Sequence, residues 1–316
     1  MNTPGSDPAN PLPAEPREIA TGEHLPDLET APGAPAESAE ISSGAEFGPI
    51  PPPTSVVNSH ASWGEDFRTS WGWLDLILLL VVAIGSTILS STVGSWAFFA
   101  RGVTRVQLEN PGAQQSLWIL VTQIGVFACL MGFLWFSVAL AYRRPFWQTA
   151  GWRPLETGKM PKAVVYSGYV LAGGLLCFLV SAISDAYSPQ QKLPIQEMFQ
   201  DRRSALLFVA LAVLLAPLIE ETIFRGYIYP VVARTFGMGL SVLVTGTLFG
   251  LLHAKQLWGG WVQIAMLVMV GIFFTYARAM SRTVVASYLL HLGYNSFMAL
   301  GFMLSPLGYR ALPLGH

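Results

Sequence analysis

The chain has 316 residues, of which 52% are hydrophobic and only 12% are charged. A soluble domain usually carries about 25% charged residues, so this composition excludes an ordinary water-soluble protein. The formal net charge is -1. Because nucleic-acid-binding surfaces need clustered Lys and Arg, we expect no nucleic-acid partner. Cys129 and Cys177 lie in separate apolar stretches and predict neither a redox pair nor a thiolate metal site.

Residues 1–70 form the first of three predicted regions. They are rich in Pro, Ala, Glu, Ser and Gly, and they contain more than half of the 19 acidic residues of the chain. Such a segment cannot bury enough apolar surface to offset its conformational entropy. We therefore predict a disordered N-terminal tail. No basic segment with a short apolar core opens the chain, so we expect no cleavable signal peptide.

From residue 71 onward, apolar stretches long enough to cross a bilayer core of about 30 Å recur between short polar links. Because lipid cannot hydrogen-bond the backbone, each span must be a helix. We predict an all-α, polytopic integral membrane bundle of about seven to eight transmembrane helices. Residues 71–200 hold the N-terminal helices, and residues 201–305 hold the candidate catalytic core. The predicted spans are 73–100, 116–142, 163–185, 204–233, 238–256, 259–279 and 284–304.

The Lys and Arg residues in the links predict the orientation. Ten fall on the side that holds the N-terminus and seven on the other side, and such residues are enriched in cytoplasmic links. The bias comes mostly from the link between the second and third spans, with Arg143, Arg144, Arg153, Lys159 and Lys162. We expect a multi-pass protein of the plasma (cell inner) membrane with a cytoplasmic N-terminus.

Beyond Asp201, the only acidic residues are Glu220 and Glu221, which are adjacent in a long apolar segment. Ionisable groups are costly in hydrocarbon unless they are paired, so we interpret both as functional. Glu221 and Arg225 are four residues apart and share a helical face, which predicts an ion pair. Glu220 should point about 100° away from Glu221. The spacing therefore leaves Glu220 available for chemistry.

Two of the five histidines, His253 and His291, lie within predicted membrane spans. Phe249 precedes His253 by four residues, and Asn295 follows His291 by four. Each pair therefore presents two side chains on one helical face. Three spans thus each contribute polar groups one turn apart.

Helix geometry predicts that these groups can meet. If the helices of Glu220 and His253 turn back near residues 234–239, each residue lies about 21 Å from the turn, at the same depth in the membrane. Gly246 and Gly250 form a small-residue stripe beside His253, which lets a neighbouring helix come close.

The combined groups are suited to hydrolysis by general-base catalysis. Glu220 can take a proton from water, and His253 can share that water or protonate the leaving amine. His291 and Asn295 can donate hydrogen bonds to a developing oxyanion. The sequence contains no HExxH and no GxSxG, so it does not predict a standard zincin or serine hydrolase.

Three motifs occur in a characteristic order: EExxxR at Glu220, Glu221 and Arg225, FxxxH at Phe249 and His253, and HxxxN at His291 and Asn295. Together they resemble the CAAX prenyl endopeptidase and bacteriocin-processing family of intramembrane proteases (CPBP, also called Abi). The resemblance covers about residues 200–300.

The resemblance implies an intramembrane endopeptidase and assigns roles to these residues. Glu220 and His253 would activate water, and His291 and Asn295 would form the oxyanion site. Glu221, Arg225 and Phe249 would support them. The implied partners are a peptide or protein substrate at the membrane and the lipid bilayer. Prenylated CAAX termini, leader peptides and membrane-anchor segments are all candidate substrates.

The metal requirement stays open at this point. Family members are often labelled metalloproteases, and Glu220, His253 and His291 could supply the His2Glu set of a catalytic zinc site. Asn295 beside His291 fits oxyanion donation better than metal ligation. We therefore prefer a metal-free glutamate mechanism to one with zinc.

Two other functions are compatible with the same residues. Membrane carboxylates and histidines also form proton relays, as in a proton-coupled transporter, but the sequence shows no inverted repeat with matching broken helices. A catalytically silent family member could act as an immunity or scaffold protein, although every motif residue is present here.

Overall fold

The computed structural model describes residues 69–187, 199, 201–306 and 308–313. The predicted tail of residues 1–70 therefore lies outside the described residues, except for its last two positions. The regular structure within the described ranges is helical, as predicted. The α-helices described there are α1 (Trp73–Phe99), α2 (Arg105–Glu109), α3 (Ala113–Trp135), α4 (Phe146–Thr149), α5 (Lys162–Tyr187), α6 (Arg202–Ala210), α7 (Ala216–Glu221), α8 (Tyr229–Leu252), α9 (Trp261–Ser281) and α10 (Val284–Leu304).

Three further segments are wound as π-helix. Phe136–Ala141 extends α3, while Leu211–Leu215 and Thr222–Ile228 lie on either side of α7. α6, α7, α8 and the two π-helical segments between them form one helical stretch, Arg202–Leu252. π-Helical turns interrupt the regular hydrogen-bond ladder and are frequent at functional sites. A short 3-10 helix, Tyr309–Ala311, follows α10.

The described part of the chain contains five helical segments that are long and apolar enough to cross a membrane, fewer than the seven predicted spans. The difference has two causes. The segment Arg202–Leu252 contains two predicted spans, and α10, although 21 residues long, is made less apolar by His291 and Asn295. The chain is a multi-pass membrane protein. The five segments are Trp73–Phe99, Ala113–Ala141, Lys162–Tyr187, Arg202–Leu252 and Trp261–Ser281.

The long helical stretch breaks at Gly237, which has φ 77° and ψ 171°. A positive φ of this size is accessible to glycine because it has no Cβ. The chain turns back there: Phe224 and Phe249, at nearly equal distances along the chain on either side of the break, have ring centroids 5.3 Å apart. The predicted turn near residues 234–239 is therefore present, and α8 folds back beside the segment that carries the glutamates.

The predicted glycine stripe lies where α8 crosses α9. A Cβ on Gly246 would come within 2.4 Å of the backbone nitrogen of Ile272, and one on Gly250 within 2.6 Å of the Cα of Val268. The two backbones are thus in direct contact, which a larger side chain would prevent. This contact holds α9 beside the segment of α8 that leads to His253.

We expect Gly173→Ala, where α5 crosses α10, to lower the free energy of unfolding by about 1 to 3 kcal/mol through overpacking. The added Cβ would lie within 2.0 Å of the carbonyl oxygen of Leu290. Gly168→Ala is the matched control on α5, because a Cβ there meets nothing within 4 Å and alanine favours helix. Thermal unfolding in detergent checks both. Equal melting temperatures for the two variants would contradict the close crossing.

The link between the second and third spans folds onto the end of the bundle. The indole nitrogen of Trp152 donates a hydrogen bond to Thr222 Oγ1 at 3.1 Å. The backbone nitrogen of Val284 donates to the carbonyl of Gly151 at 2.9 Å. The link therefore connects the start of α10 to the π-helical segment that follows the glutamates. These bonds help to hold His291, two turns into α10, opposite Glu221.

Candidate active site

The two glutamates end α7, between the two π-helical segments. Pro217 lies in the first turn of this helix and has no N–H to continue the preceding ladder. The side chain of Glu220 is 17% exposed, while that of Glu221 is completely buried. Adjacent helical positions point about 100° apart. One carboxylate is therefore accessible, and the other lies in the protein interior.

Glu221 forms the predicted ion pair with Arg225. The Nη1 atom of Arg225 donates to Glu221 Oε1 at 2.8 Å, and both side chains have 0% exposure. A pair this deeply buried is held by its geometry and by further hydrogen bonds, because both charges have lost their hydration.

The structure also identifies two anchors of Arg225 that were not predicted, both on α9. The Nε atom of Arg225 donates to Thr275 Oγ1 at 3.2 Å, and Nη2 donates to the carbonyl of Gly271 at 2.8 Å. The guanidinium carbon also lies 4.5 Å from the ring centroid of Phe249, within cation–π range. Both anchors are uncharged, so the positions of charged residues in the sequence did not reveal them. The four-residue spacing of Gly271 and Thr275 was a usable signal for a shared helical face.

His291 contacts both glutamates. Its Nδ1 atom lies 3.0 Å from Glu221 Oε1, and its Nε2 atom lies 3.8 Å from Glu220 Oε2. Because Glu221 is the anionic partner of Arg225, it accepts this hydrogen bond and His291 Nδ1 carries the proton. The Nε2 atom of His291 is thereby aimed at the accessible carboxylate.

The structure corrects the position of His253. The predicted span to residue 256 ends earlier, at Leu252, and His253 is the C-terminal cap of α8 rather than a residue within a span. Residues 253–259 form turns rather than a further helical turn. Its Nδ1 atom lies 3.0 Å from the carbonyl oxygen of Phe249. A carbonyl can only accept, so Nδ1 is the donor and Nε2 of the neutral ring keeps its lone pair.

Phe249 connects the two histidines. Its ring centroid lies 5.1 Å from that of His253 and 5.5 Å from that of His291. Both imidazoles therefore pack on one phenyl ring that also covers Arg225. The structure thus joins six predicted residues through successive contacts: Glu220, Glu221, Arg225, Phe249, His253 and His291.

Asn295, the seventh predicted residue, lies one helical turn beyond His291 and has a different partner. Its Nδ2 atom donates to the carbonyl of Ala212 at 2.8 Å, within the π-helical segment that precedes α7. A side-chain amide has a second hydrogen and a carbonyl oxygen besides this donor. The structure therefore holds Asn295 against the π-helical segment that precedes the glutamates. Part of the hydrogen-bonding capacity of the Asn295 amide is left for another partner.

Glu220, His253 and His291 are the residues that the sequence offered as a zinc site. Over the described ranges, no group of three His, Cys, Asp or Glu side chains could hold a metal ion. Glu221 is occupied by Arg225 and His291, and the buried guanidinium already supplies positive charge beside the carboxylates.

The fold and this cluster define a class: a multi-pass membrane protein with a buried glutamate and histidine site. Residues 202–297, which include every residue of the site, match the family model described as type II CAAX prenyl endopeptidase, Rce1-like. This match confirms the resemblance drawn from the three motifs and supports a membrane endopeptidase at the level of the family. No curated protein and no solved structure matches the chain.

Proposed function

We propose that this protein is an intramembrane endopeptidase that hydrolyses a peptide bond at or near the membrane, with Glu220 as the base that activates water. One observation carries the proposal. Glu220 is the accessible carboxylate of the pair and faces His291, whereas Glu221 is buried and bonded to Arg225. Because Arg225 neutralises Glu221, Glu220 is the carboxylate left to accept a proton.

The proposed reaction proceeds in two steps. Glu220 takes a proton from water, and the hydroxide attacks the peptide carbonyl to give a tetrahedral intermediate with a negatively charged oxygen. The intermediate then collapses: the C–N bond breaks and the proton held by Glu220 passes to the leaving amine. His253 supports the first step, since its Nε2 lone pair can accept a hydrogen bond from the attacking water.

His291 is the proposed main donor to the oxyanion. Its Nδ1 proton is bound to Glu221, so it donates from Nε2 only as an imidazolium. Glu221 stabilises that cation directly, while Arg225 and Thr275 keep Glu221 in place. A charged donor in a site with little water stabilises an oxyanion more strongly than a neutral one.

Asn295 is the second proposed donor, through the amide hydrogen that does not bind Ala212. We expect Asn295→Ala to lower kcat about 100- to 1000-fold, the usual cost of losing one oxyanion donor. Steady-state kinetics on protein of verified melting temperature measures this, with Ser296→Ala as the neighbouring control. A lower melting temperature at unchanged kcat would mean that Asn295 only anchors the Ala212 turn.

Hydrolysis itself is tested by incubating the purified protein in detergent with a peptide library, followed by mass spectrometry of the products. The library should contain prenylated CAAX peptides, leader peptides and membrane-anchor segments, because the site selects for peptides that reach the membrane. Products formed by the wild type and absent with Glu220→Gln support the proposal. A zinc ion whose removal and return abolish and restore hydrolysis would replace the metal-free mechanism.

We also propose a plasma-membrane location with a cytoplasmic N-terminus and a site approached from that side, on the charge bias of the links. In a background with Cys129 and Cys177 replaced by alanine, we expect Gln148→Cys in intact cells to resist a membrane-impermeant thiol reagent. Asn110→Cys, in the link between the first two spans, should react. Both residues are exposed. The reverse pattern would invert the orientation.

A further inference from the structure

A short strap, residues 69–73, leads the chain into α1 and packs against the segment that follows the glutamates. The indole nitrogen of Trp71 donates a hydrogen bond to the carbonyl of Tyr227 at 2.9 Å, although the two residues are 156 positions apart in the chain. Their rings are stacked, with centroids 4.9 Å apart and planes 4° from parallel. Trp71 is 1% exposed. A large side chain that belongs to none of the three motifs is thus buried against the segment that carries Arg225.

Tyr227 lies in the π-helical segment Thr222–Ile228, two residues after Arg225. Its side chain is completely buried, and its hydroxyl shares a hydrogen bond of 2.8 Å with Ser137 Oγ. Ser137 belongs to the π-helical segment that extends α3. Tyr227 is therefore held from two sides: the strap binds its ring and carbonyl, and the extension of α3 binds its hydroxyl.

The strap is itself bound to the bundle. The exposed Arg234 donates from Nη1 to the carbonyl of Thr69 at 3.2 Å and from Nη2 to the carbonyl of Trp71 at 3.3 Å. The backbone nitrogen of Gly72 donates to Asp75 Oδ2 at 2.8 Å, at the start of α1. These bonds restrain the backbone on both sides of the buried indole.

The geometry of the π-helical segment matters for the proposed chemistry. Arg225 binds Glu221 at 2.8 Å, and Glu221 accepts the hydrogen bond from His291 at 3.0 Å. π-Helix is rare and occurs mostly as single turns, so contacts with neighbouring elements decide where Arg225 lies. A misplacement of about 1 Å in an active site can lower a rate about 100-fold. A residue that fixes this segment can therefore act on the reaction from a distance.

We propose that Trp71 is a positioning residue: through Tyr227 it fixes the π-helical segment that carries Arg225. Arg225 in turn keeps Glu221 in contact with His291. This inference rests on the proposed function, and it extends the functional part of the chain to the strap, which the three motifs do not include. Trp71 acts through Tyr227 and supplies no group to the reaction itself.

The first test compares Trp71→Phe with Trp73→Phe in the full-length protein in detergent, with a peptide that the wild type cleaves. Trp73 is the matched control: it belongs to the same strap, is 44% exposed, and donates its indole N–H to Thr235, beyond the π-helical segment. Trp71→Phe keeps an aromatic ring against Tyr227 and loses the indole N–H. We expect its kcat to fall about 5- to 10-fold, as for one lost neutral hydrogen bond, at unchanged KM. Trp73→Phe should keep the wild-type kcat.

The second test needs no substrate. Hydrogen exchange measured by mass spectrometry should be faster in residues 222–228 of Trp71→Phe, because local opening of the segment becomes easier, and unchanged there in Trp73→Phe. Arg234→Gln, an exposed substitution, releases the strap without altering the core. It should shift both kcat and exchange in the same direction as Trp71→Phe, and it decides between the outcomes if Trp71→Phe does not fold.

Equal exchange in the two tryptophan variants, or equal kcat, would overturn the role of Trp71. Faster exchange spread evenly over all helices, or a change confined to KM, would reduce Trp71 to a general contribution to stability and would overturn that role as well. Faster exchange limited to residues 222–228, in a protein that cleaves no peptide, would support the contact with Tyr227 and refute the proposed function.

Discussion

Glu220→Gln should abolish peptide hydrolysis and leave the protein folded. Glutamine keeps the size and most of the hydrogen-bonding capacity of Glu220 but cannot accept the proton from water. General-base catalysis contributes about 100- to 10,000-fold, so the remaining rate should fall to the detection limit. Glu220 is partly exposed and lies 3.8 Å from His291 Nε2, so the contact that its replacement removes is long and partly solvated. The melting temperature should therefore change little.

The measurement is the hydrolysis rate together with thermal unfolding in detergent. Glu156→Gln, an exposed carboxylate in the link between the second and third spans, is the matched control and should keep the wild-type rate. If Glu220→Gln hydrolyses peptide as fast as the wild type, the glutamate-base mechanism is wrong. A scaffold or transporter role would then be favoured over the protease.

Glu221→Ala should mainly destabilise the protein. It leaves Arg225, which has 0% exposure, without its anionic partner, and breaking a buried pair from one side costs about 3 to 5 kcal/mol. It also removes the acceptor that holds His291 Nδ1, so hydrolysis should decline in the molecules that still fold. Thermal or denaturant unfolding in detergent measures the larger effect.

Two further variants test whether burial is the cause. Glu109→Ala breaks an ion pair of the same four-residue spacing, Arg105 with Glu109, whose side chains are 82% and 59% exposed. Its effect on unfolding should be close to experimental error. Replacing Glu221 and Arg225 together by leucine removes both buried charges and should restore much of the stability lost in Glu221→Ala. A double variant as unstable as the single one would contradict this explanation.

The sequence was most informative where one helix contains the whole interaction. The four residues between Glu221 and Arg225 place both on one helical face, and the pair is present at 2.8 Å. The spacing of Gly246 and Gly250 on α8 likewise predicted a close helix crossing, which the structure contains between α8 and α9. The apolar stretches predicted a helical membrane bundle, and helices are present at each predicted span. Hydropathy alone does not show that two spans share one helical stretch broken at Gly237.

The end of α8 was misjudged for a related reason. Periodicity extends an apolar helix through residue 256, but the helix ends at Leu252 and His253 caps it. Helix ends depend on local hydrogen bonds and turn residues, which periodicity does not resolve. The hairpin nevertheless brings the ring of Phe249, on which His253 packs, within 5.3 Å of the ring of Phe224.

Contacts between distant segments required the tertiary structure. His291 and Glu221 are 70 positions apart in the chain, and no local pattern assigns the imidazole to one glutamate rather than the other. Thr275 and Gly271 are also far from Arg225 in the chain. Their uncharged oxygen atoms accept hydrogen bonds from Arg225 only because α9 lies beside it.

Amino-acid type and helical periodicity determined that this chain crosses the membrane, which residues are the candidates for its chemistry and which of them share a helical face. Those properties follow from side-chain polarity and from the fixed geometry of a helix. Tertiary packing decided that Glu221 is buried and Glu220 accessible, that Asn295 binds Ala212, and that Trp71 stacks on Tyr227. Packing has this role because burial and contacts between segments depend on how helices meet, and no single helix contains that information.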